Sequence, residues 1–254
     1  NLLEIKIAFF GDKDRFYWID MKLEENLKDK FLYSKKFNLF KFIYFYYQLI
    51  KTIILQRKRK IYSNWGLDIM ADHFFKNKKK GVYIDVGCHH PFLNNNTYPL
   101  YKRGWNGINI DLDFNSIDMF NYFRKCDLNI QAAISDKQTE SNLFFFHNRS
   151  AINTLSKDIG SDAKKIIKVN TRTLNDIIEN SKYKDKEIDY LSIDVEGFEL
   201  NVIKGFNLKK YKPKLIILEL LDQTVKEFYL GKIDNILNSN IYIYMNENNY
   251  KLVN

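Results

Sequence analysis

Two short apolar segments, each closed by an acid, constrain the fold of this chain more than any other feature. Tyr83–Gly87 reads Tyr-Ile-Asp-Val-Gly, and Gly107–Asp113 repeats the layout around Asn-Ile-Asp. Runs of this length and composition are strands. A strand ending in an acid and a glycine, followed by a second ending in an acid, is how a βαβ unit holds a nucleoside. The glycine admits a ligand to the backbone, and the second acid accepts hydrogen bonds from ribose hydroxyls.

A dinucleotide fold would continue with G-x-G-x-x-G, whose extra glycines bring a pyrophosphate to a helix N-terminus. Here Cys88-His89-His90-Pro91-Phe92 follows Gly87. An adenosine ligand without phosphates fits better, and S-adenosylmethionine is the commonest of these.

The chain continues as a strand and helix alternation. Strands are expected at Val82–Val86, Gly107–Asp111, Asn129–Ile134, Ile188–Ile193 and Leu215–Glu219, with further ones at Asn142–Phe146 and from Tyr250. Helices are expected at Gly66–Lys76, Asp118–Arg124, Leu174–Ser181, Glu199–Gly205 and Val225–Leu237. That order predicts an α/β fold, a mostly parallel sheet with helices on both faces. Beyond Tyr250–Val253 a closing hairpin is expected to be missing. At 254 residues the chain has room for one such core with an appendage, not for two domains of equal weight.

The appendage carries the charge. The formal net charge is +9, yet residues 81–254 hold 22 basic and 22 acidic residues, against 18 and 9 in residues 1–80. Lys30–Lys60 contains nine basic residues, no acid and nine Phe or Tyr. Residues 1–29 show no clear period. Phe31–Leu55 lacks Gly and Pro and places Lys41, Gln48 and Lys51 near one face, which predicts a helix. Three settings stay open for it: packing on the main domain or a second copy, lying in a membrane interface, or spanning a membrane, where Lys41 and Lys51 would be costly. Lysine outnumbers arginine 33 to 7, a compositional drift rather than a nucleic-acid signature, so no nucleic-acid partner is expected. Cys88 and Cys126 have no metal-site or disulfide spacing, and no charged-then-apolar leader precedes them, so a cytoplasmic setting is the default. The chain opens on Asn1, and an earlier start is expected.

In an open parallel sheet, ligands bind beyond the carboxyl ends of the strands. Those ends are rich in acids: Asp85, Asp111 with Asp113, Asp136 after Ser135, Asp194 with Glu196, and Glu219. Carboxylates converging on one rim repel one another unless cations or donors offset them. A sulfonium ligand with an amino group supplies positive charge. Asp194 and Glu196, two apart at a strand end, share a face if the strand runs through them. They could take a proton from a hydroxyl, hold a divalent cation or bind acceptor hydroxyls. A Pro-Pro-Tyr run, which grips a planar amino group, is absent from this strand end, and that favours an oxygen acceptor.

Tyr83–Pro91, Asn96-Thr97, Gly104–Asp111, Asp194–Glu199 and Lys204-Gly205, with Ala132–Asp136 and Thr173–Asp176 between them, resemble the FkbM family of S-adenosylmethionine-dependent methyltransferases. The resemblance runs from about Val82 to Val253. It implies a Rossmann-like class I methyltransferase domain, taken as 66–254, and does not cover residues 1–65, which by composition and spacing read as a basic, aromatic-rich and mainly helical N-terminal extension. It further implies that Asp85 and Gly87 line the methionine end of the cofactor, Asp111 the ribose and Ser135-Asp136 the adenine edge. His89, Asn96 and Thr97 are counted with the cofactor positions, although Asn96 reads equally as the N-cap of a short helix with Pro99 in its first turn.

Asp194, Glu196 and His90 are the expected catalytic groups. Glu199 reads as a complement to a helix dipole. The segment Phe144–Asn153, with His147, Arg149 and Ser150, reads as a loop over the acceptor, and His147 is a lesser candidate for the base. No residue is assigned as a metal ligand, with a divalent cation left open.

The expected reaction is methylation of a hydroxyl, with a sugar of a surface glycan, lipid-linked or nucleotide-linked saccharide as the acceptor. A small secondary metabolite, or a membrane-associated binding protein with an inactive fold, is the alternative. Peripheral contact with the inner face of a membrane through residues 30–60, and a homodimer, stay open.

Overall fold

The computed structural model describes residues 3–9, 38–56, 61–63, 66–147, 150–220 and 233–252. Its centre is a seven-stranded sheet in the order β10-β1-β9-β8-β2-β3-β4. The strands are β1 (Leu3–Phe9), β2 (Val82–Val86), β3 (Asn106–Asp111), β4 (Leu128–Gln131), β8 (Tyr190–Ile193), β9 (Leu215–Leu220) and β10 (Tyr250–Leu252). Every pairing in it is parallel. This is the Rossmann-like α/β architecture that the alternation predicts.

Strand residues alternate between two cores, as the period of two requires. Ile84, Val86, Leu191, Ile193, Ile216 and Leu218 join α5 (Leu174–Glu179), α6 (Glu199–Lys204), α7 (Leu208–Tyr211) and α9 (Asn240–Glu247) on one face. Tyr83, Tyr190, Leu215 and Ile217 meet α2 (Leu67–Phe74), α3 (Tyr98–Lys102) and Trp105 on the other. Trp105 is fully buried and donates its indole N–H to the Lys78 carbonyl at 3.2 Å. Truncating a core aromatic of this kind costs about 3–5 kcal/mol.

Three expectations change. Asn129–Ile134 is not one strand: Ala132 makes the last bond to Asp111 O at 3.0 Å, and the chain then leaves the sheet. Ala133–Ile134 (β5) belongs instead to a three-stranded sheet with β6 (Glu140–Phe145) and β7 (Lys165–Arg172). The strand β7 escapes sequence reading because most of it is exposed or half-exposed, leaving little apolar pattern. Residues 3–9, without an assignment from sequence, form β1 between β9 and β10, in register Glu4↔Leu215 and Leu3↔Tyr250.

The expected helix within Phe31–Leu55 is α1, Asn38–Gln56. Tyr44, Phe45 and Gln48 are buried, and the two aromatics meet Met119, Tyr122 and Phe123 of α4 (Phe114–Phe123). Lys41 pairs with Asp118. Among the described residues no helix is long and apolar enough to cross a membrane. The last short helix before α9 is α8, Asp234–Leu237. The expected helix Val225–Leu237 falls in part on residues 221–232, which with Arg149, Arg57–Lys60 and Val253 lie outside the described residues.

Candidate active site

Register gathers the acids. Asp85 pairs with Asn109 and Ser192, and Val86 pairs with Ile110 and Ile193, which in turn pairs with Leu218. One residue further along, Asp111, Gly87, Asp194 and Glu219 form a row on one face at the carboxyl edge of four adjacent strands. Gly87 N bonds Ile110 O and Asp194 N bonds Val86 O, both at 2.9 Å, so the ladder reaches this row. Gly87 has φ 78°, and a Cβ on it would lie 1.7 Å from the Asp194 carbonyl oxygen. Only glycine fits, because here the ends of β2 and β8 touch backbone to backbone.

Residues 88–97 fold back over Asp85. That carboxyl is 3% exposed, and its Oδ2 accepts from Asn95 Nδ2 at 3.1 Å and Thr97 Oγ1 at 2.9 Å. Burial pushes it up to about 6, with Arg124 and the two donors opposing. Arg124 is completely buried. It donates from Nε and Nη2 to the Pro91 carbonyl at 3.0 and 2.6 Å, from Nη2 to Asn95 Oδ1 at 2.6 Å and from Nη1 to Thr97 Oγ1 at 2.8 Å. The rings of Phe120, Tyr101 and Tyr98 surround its guanidinium with centroids at 5.0, 5.1 and 5.4 Å.

His90 is buried, and its Nδ1 accepts the backbone N–H groups of Phe92 at 3.1 Å and Leu93 at 3.0 Å. That geometry makes Nε2 the protonated nitrogen of a neutral ring. His89, at φ 46°, donates its backbone N–H to Asp111 Oδ2 at 2.8 Å, and Asp111 Oδ1 accepts from Asp113 N at 2.8 Å. Asn96 is not the cap of α3: Thr97 stands there without a side-chain capping bond, with Pro99 in the first turn. The amide of Asn96 instead reaches Ser192 Oγ at 3.0 Å, tying the loop to β8.

Beyond β8 the chain turns at Glu196, a non-glycine residue at φ 56°. Backbone in this region costs about 1–3 kcal/mol and persists only where its surroundings enforce it. Two neighbours do so. Thr154 Oγ1 donates to the Glu196 carbonyl at 2.8 Å, and Glu199 Oε1 accepts from the N–H groups of Val195 and Gly197, both at 3.1 Å. Glu199 therefore holds the turn in which the two acids stand, and burial pushes it up to about 7.

Carboxylate oxygens of Asp194, Glu196 and Glu219 all lie within 4.8 Å of one another. Burial and the charges of Asp194 and Glu196 hold Glu219 well above the ordinary carboxylate range, and it shares a hydrogen bond with Asp194. Ser135 is buried, its hydroxyl 2.9 Å from Asp136 Oδ1, while Asp136 is exposed after β5. His147 is half-buried, and its carbonyl accepts from Asn153 Nδ2 at 3.0 Å.

Sequence reading left Asn95 and Thr154 unmentioned, met Arg124 only as the end of an expected helix and gave Glu219 no role. Glu219 carried a visible signal, a lone acid inside Leu-Ile-Ile-Leu-Glu-Leu. Arg124 carried none, since a basic residue at a helix end ordinarily faces solvent.

No curated protein and no solved structure matches the chain. The methyltransferase FkbM domain matches residues 85–252, which takes in the acid row, the loop under Arg124 and the Glu196 turn. The chain belongs to the FkbM methyltransferase family.

Proposed function

We propose that this methyltransferase moves the methyl group of S-adenosylmethionine to a hydroxyl oxygen, with a sugar as the acceptor. The row Asp111–Gly87–Asp194–Glu219 carries this reading. Its residues fit the cofactor: Gly87 leaves the backbone open to a ligand, an acid stands at the second strand end for a ribose diol, no glycine-rich phosphate loop follows β2, and Asp194 and Glu219 complete the row on the side where an acceptor hydroxyl would be held. When bound, the cofactor supplies an electrophilic methyl carbon on a positively charged sulfur.

Asp111, positioned by the His89 and Asp113 backbone, takes the ribose hydroxyls. Asp85, Asn95 and Thr97 hold the loop over the methionine end, while Asn96 fixes that loop to β8. Ser135 and Asp136 flank the adenine edge. Asp194, with Glu196 beside it, would hold the acceptor hydroxyl and take its proton when that oxygen is methylated. Most of the rate comes from alignment, because the sulfonium is already reactive. The ring of His90 supports the Phe92-Leu93 backbone rather than acting as a base.

Calorimetry with S-adenosylmethionine, followed by labelled methyl transfer to a panel of nucleotide sugars and glycan fragments, tests this. Micromolar binding and label on a saccharide oxygen are expected. No binding at millimolar cofactor, or label on nitrogen, would overturn it.

The outward face of α1 bears on where the acceptor lies. Leu39, Phe42, Ile43, Tyr46, Tyr47, Ile50 and Ile54 are all exposed, and the adjoining sequence is Arg57-Lys58-Arg59-Lys60. An apolar helix face beside a basic run suits the interface of an anionic membrane. Full-length protein is expected to float with phosphatidylserine vesicles at low salt, and Ile50→Glu to abolish flotation. A stable dimer that Ile50→Glu dissociates, without flotation, would assign the face to a second copy instead.

A further inference from the structure

We propose that Asp194, Glu196 and Glu219 form a binding site for one divalent, oxygen-preferring metal ion at the carboxyl edge of β8 and β9. Three acids close together are not by themselves a site, because exposed acids cluster on many surfaces. What sets this group apart is Glu219. Only 6% of its surface is exposed, and its Oε2 is buried without a hydrogen-bond partner among the described residues. An orphaned carboxylate oxygen costs stability and marks a position built for a ligand.

Register aims Glu219 into the group, since Leu218 pairs with Ile193 and so places Glu219 beside Asp194. The turn held by Glu199 and Thr154 then brings Glu196 to the same place. A ligand at the Glu219 carboxylate therefore has two further carboxylates beside it.

Distance selects the ligand class. Calcium- and magnesium-sized ions take carboxylate oxygens at about 2.0–2.6 Å, so oxygens on opposite sides of one ion stand about 4–5 Å apart. The three side chains here offer oxygens within 4.8 Å of one another. All-oxygen donors select a hard ion such as Mg²⁺, Mn²⁺ or Ca²⁺ over zinc or copper. Three ionised carboxylates around one such ion keep a net negative charge, which remains favourable beside a sulfonium. An acceptor hydroxyl at an open position of the ion would lose its proton more readily. That role rests on the methyl-transfer reading above; the binding does not.

The experiment uses the full chain after chelator treatment. Mn²⁺ binding is followed by the paramagnetic signal of the free ion and by thermal melting, each with and without S-adenosylmethionine. One ion per chain and a raised melting temperature are expected. Glu219→Gln keeps the shape and can still donate to Asp194, so the variant is expected to melt no lower than the parent without metal at pH 8. Its Mn²⁺ affinity is expected to fall at least tenfold, with cofactor affinity unchanged within a few-fold. If Mn²⁺ fails to bind at millimolar concentration under either condition while the cofactor binds, the cation site is wrong and the methyl-transfer reading stands. If neither binds, both fall. Stoichiometric binding that neither Glu219→Gln nor Asp194→Asn weakens would place the ion elsewhere and overturn the proposal.

Discussion

Replacing Arg124 with methionine is expected to destabilise the protein by about 3–5 kcal/mol, the usual cost of removing one member of a buried charged network. The side chain is fully buried yet makes four hydrogen-bond contacts, all to the segment 91–97. Methionine fills much of the aromatic cage but satisfies none of those acceptors. Lysine is a poor substitute, since one ammonium cannot reach Pro91 O, Asn95 and Thr97 with the span of a planar guanidinium. Cofactor affinity should fall as well, because the same segment covers the acid row. A loss of less than about 1 kcal/mol on thermal or denaturant unfolding would show that the network carries little.

The pH dependence separates the charge from the packing. In the folded chain the carboxyl of Asp85 titrates at about 6, against about 3.9 for an unfolded chain. The folded state keeps its proton longer, so stability falls as pH rises from about 4 to 6 and levels once Asp85 ionises in both states. Arg124 is the strongest influence favouring ionisation. Without it the carboxyl titrates higher still, and the fall continues above pH 6. The deficit of Arg124→Met relative to the parent should therefore grow between pH 5 and pH 8. Glu199 and Glu219 titrate in both proteins and largely cancel in the comparison. Adding Asp85→Asn should return part of the loss, because the pair belongs to one network and their effects are not additive. An equal deficit at both pH values would mean that Arg124 acts through packing alone.

How much of this was legible in sequence follows from what each feature costs to encode. The central strands were readable because residues buried on both faces must be apolar: Val82–Val86 is recovered to the residue. The acids ending them were readable because a charge at the end of an apolar run has no packing explanation. By contrast β1, β7 and the split between β4 and β5 depend on pairing partners distant in sequence, and a short or half-exposed strand carries little pattern of its own. Asn96 illustrates a third limit. Its type and position fit a helix cap, yet the amide was drawn to Ser192, 96 positions away, by a loop conformation that no local rule predicts. Glu199 shows the same: the helix-dipole reading places it correctly at the start of α6 but misses that it folds back to hold the turn of Asp194 and Glu196.

Asp194→Asn is expected to lower turnover by about 10²–10⁴, the range that a positioned base contributes. The substitution keeps the shape of the side chain, and the backbone N–H of Asp194 still bonds Val86 O, so the fold and the contact with Gly87 survive. What changes is the charge. The amide cannot accept the acceptor's proton as a carboxylate does, and it removes one of the three anionic ligands from the proposed cation. Glu219, freed of the charge that raises it most, should titrate closer to the ordinary range, so the variant is expected to unfold at a higher temperature than the parent at pH 8 without metal. Cofactor affinity should stay within a few-fold, because the ribose and loop contacts lie at Asp111 and residues 88–97. Slower turnover together with greater stability is the signature of an acid kept for chemistry at the expense of the fold. If the variant instead loses stability and cofactor binding while its residual turnover per bound cofactor is unchanged, Asp194 holds the cofactor and the proton goes elsewhere.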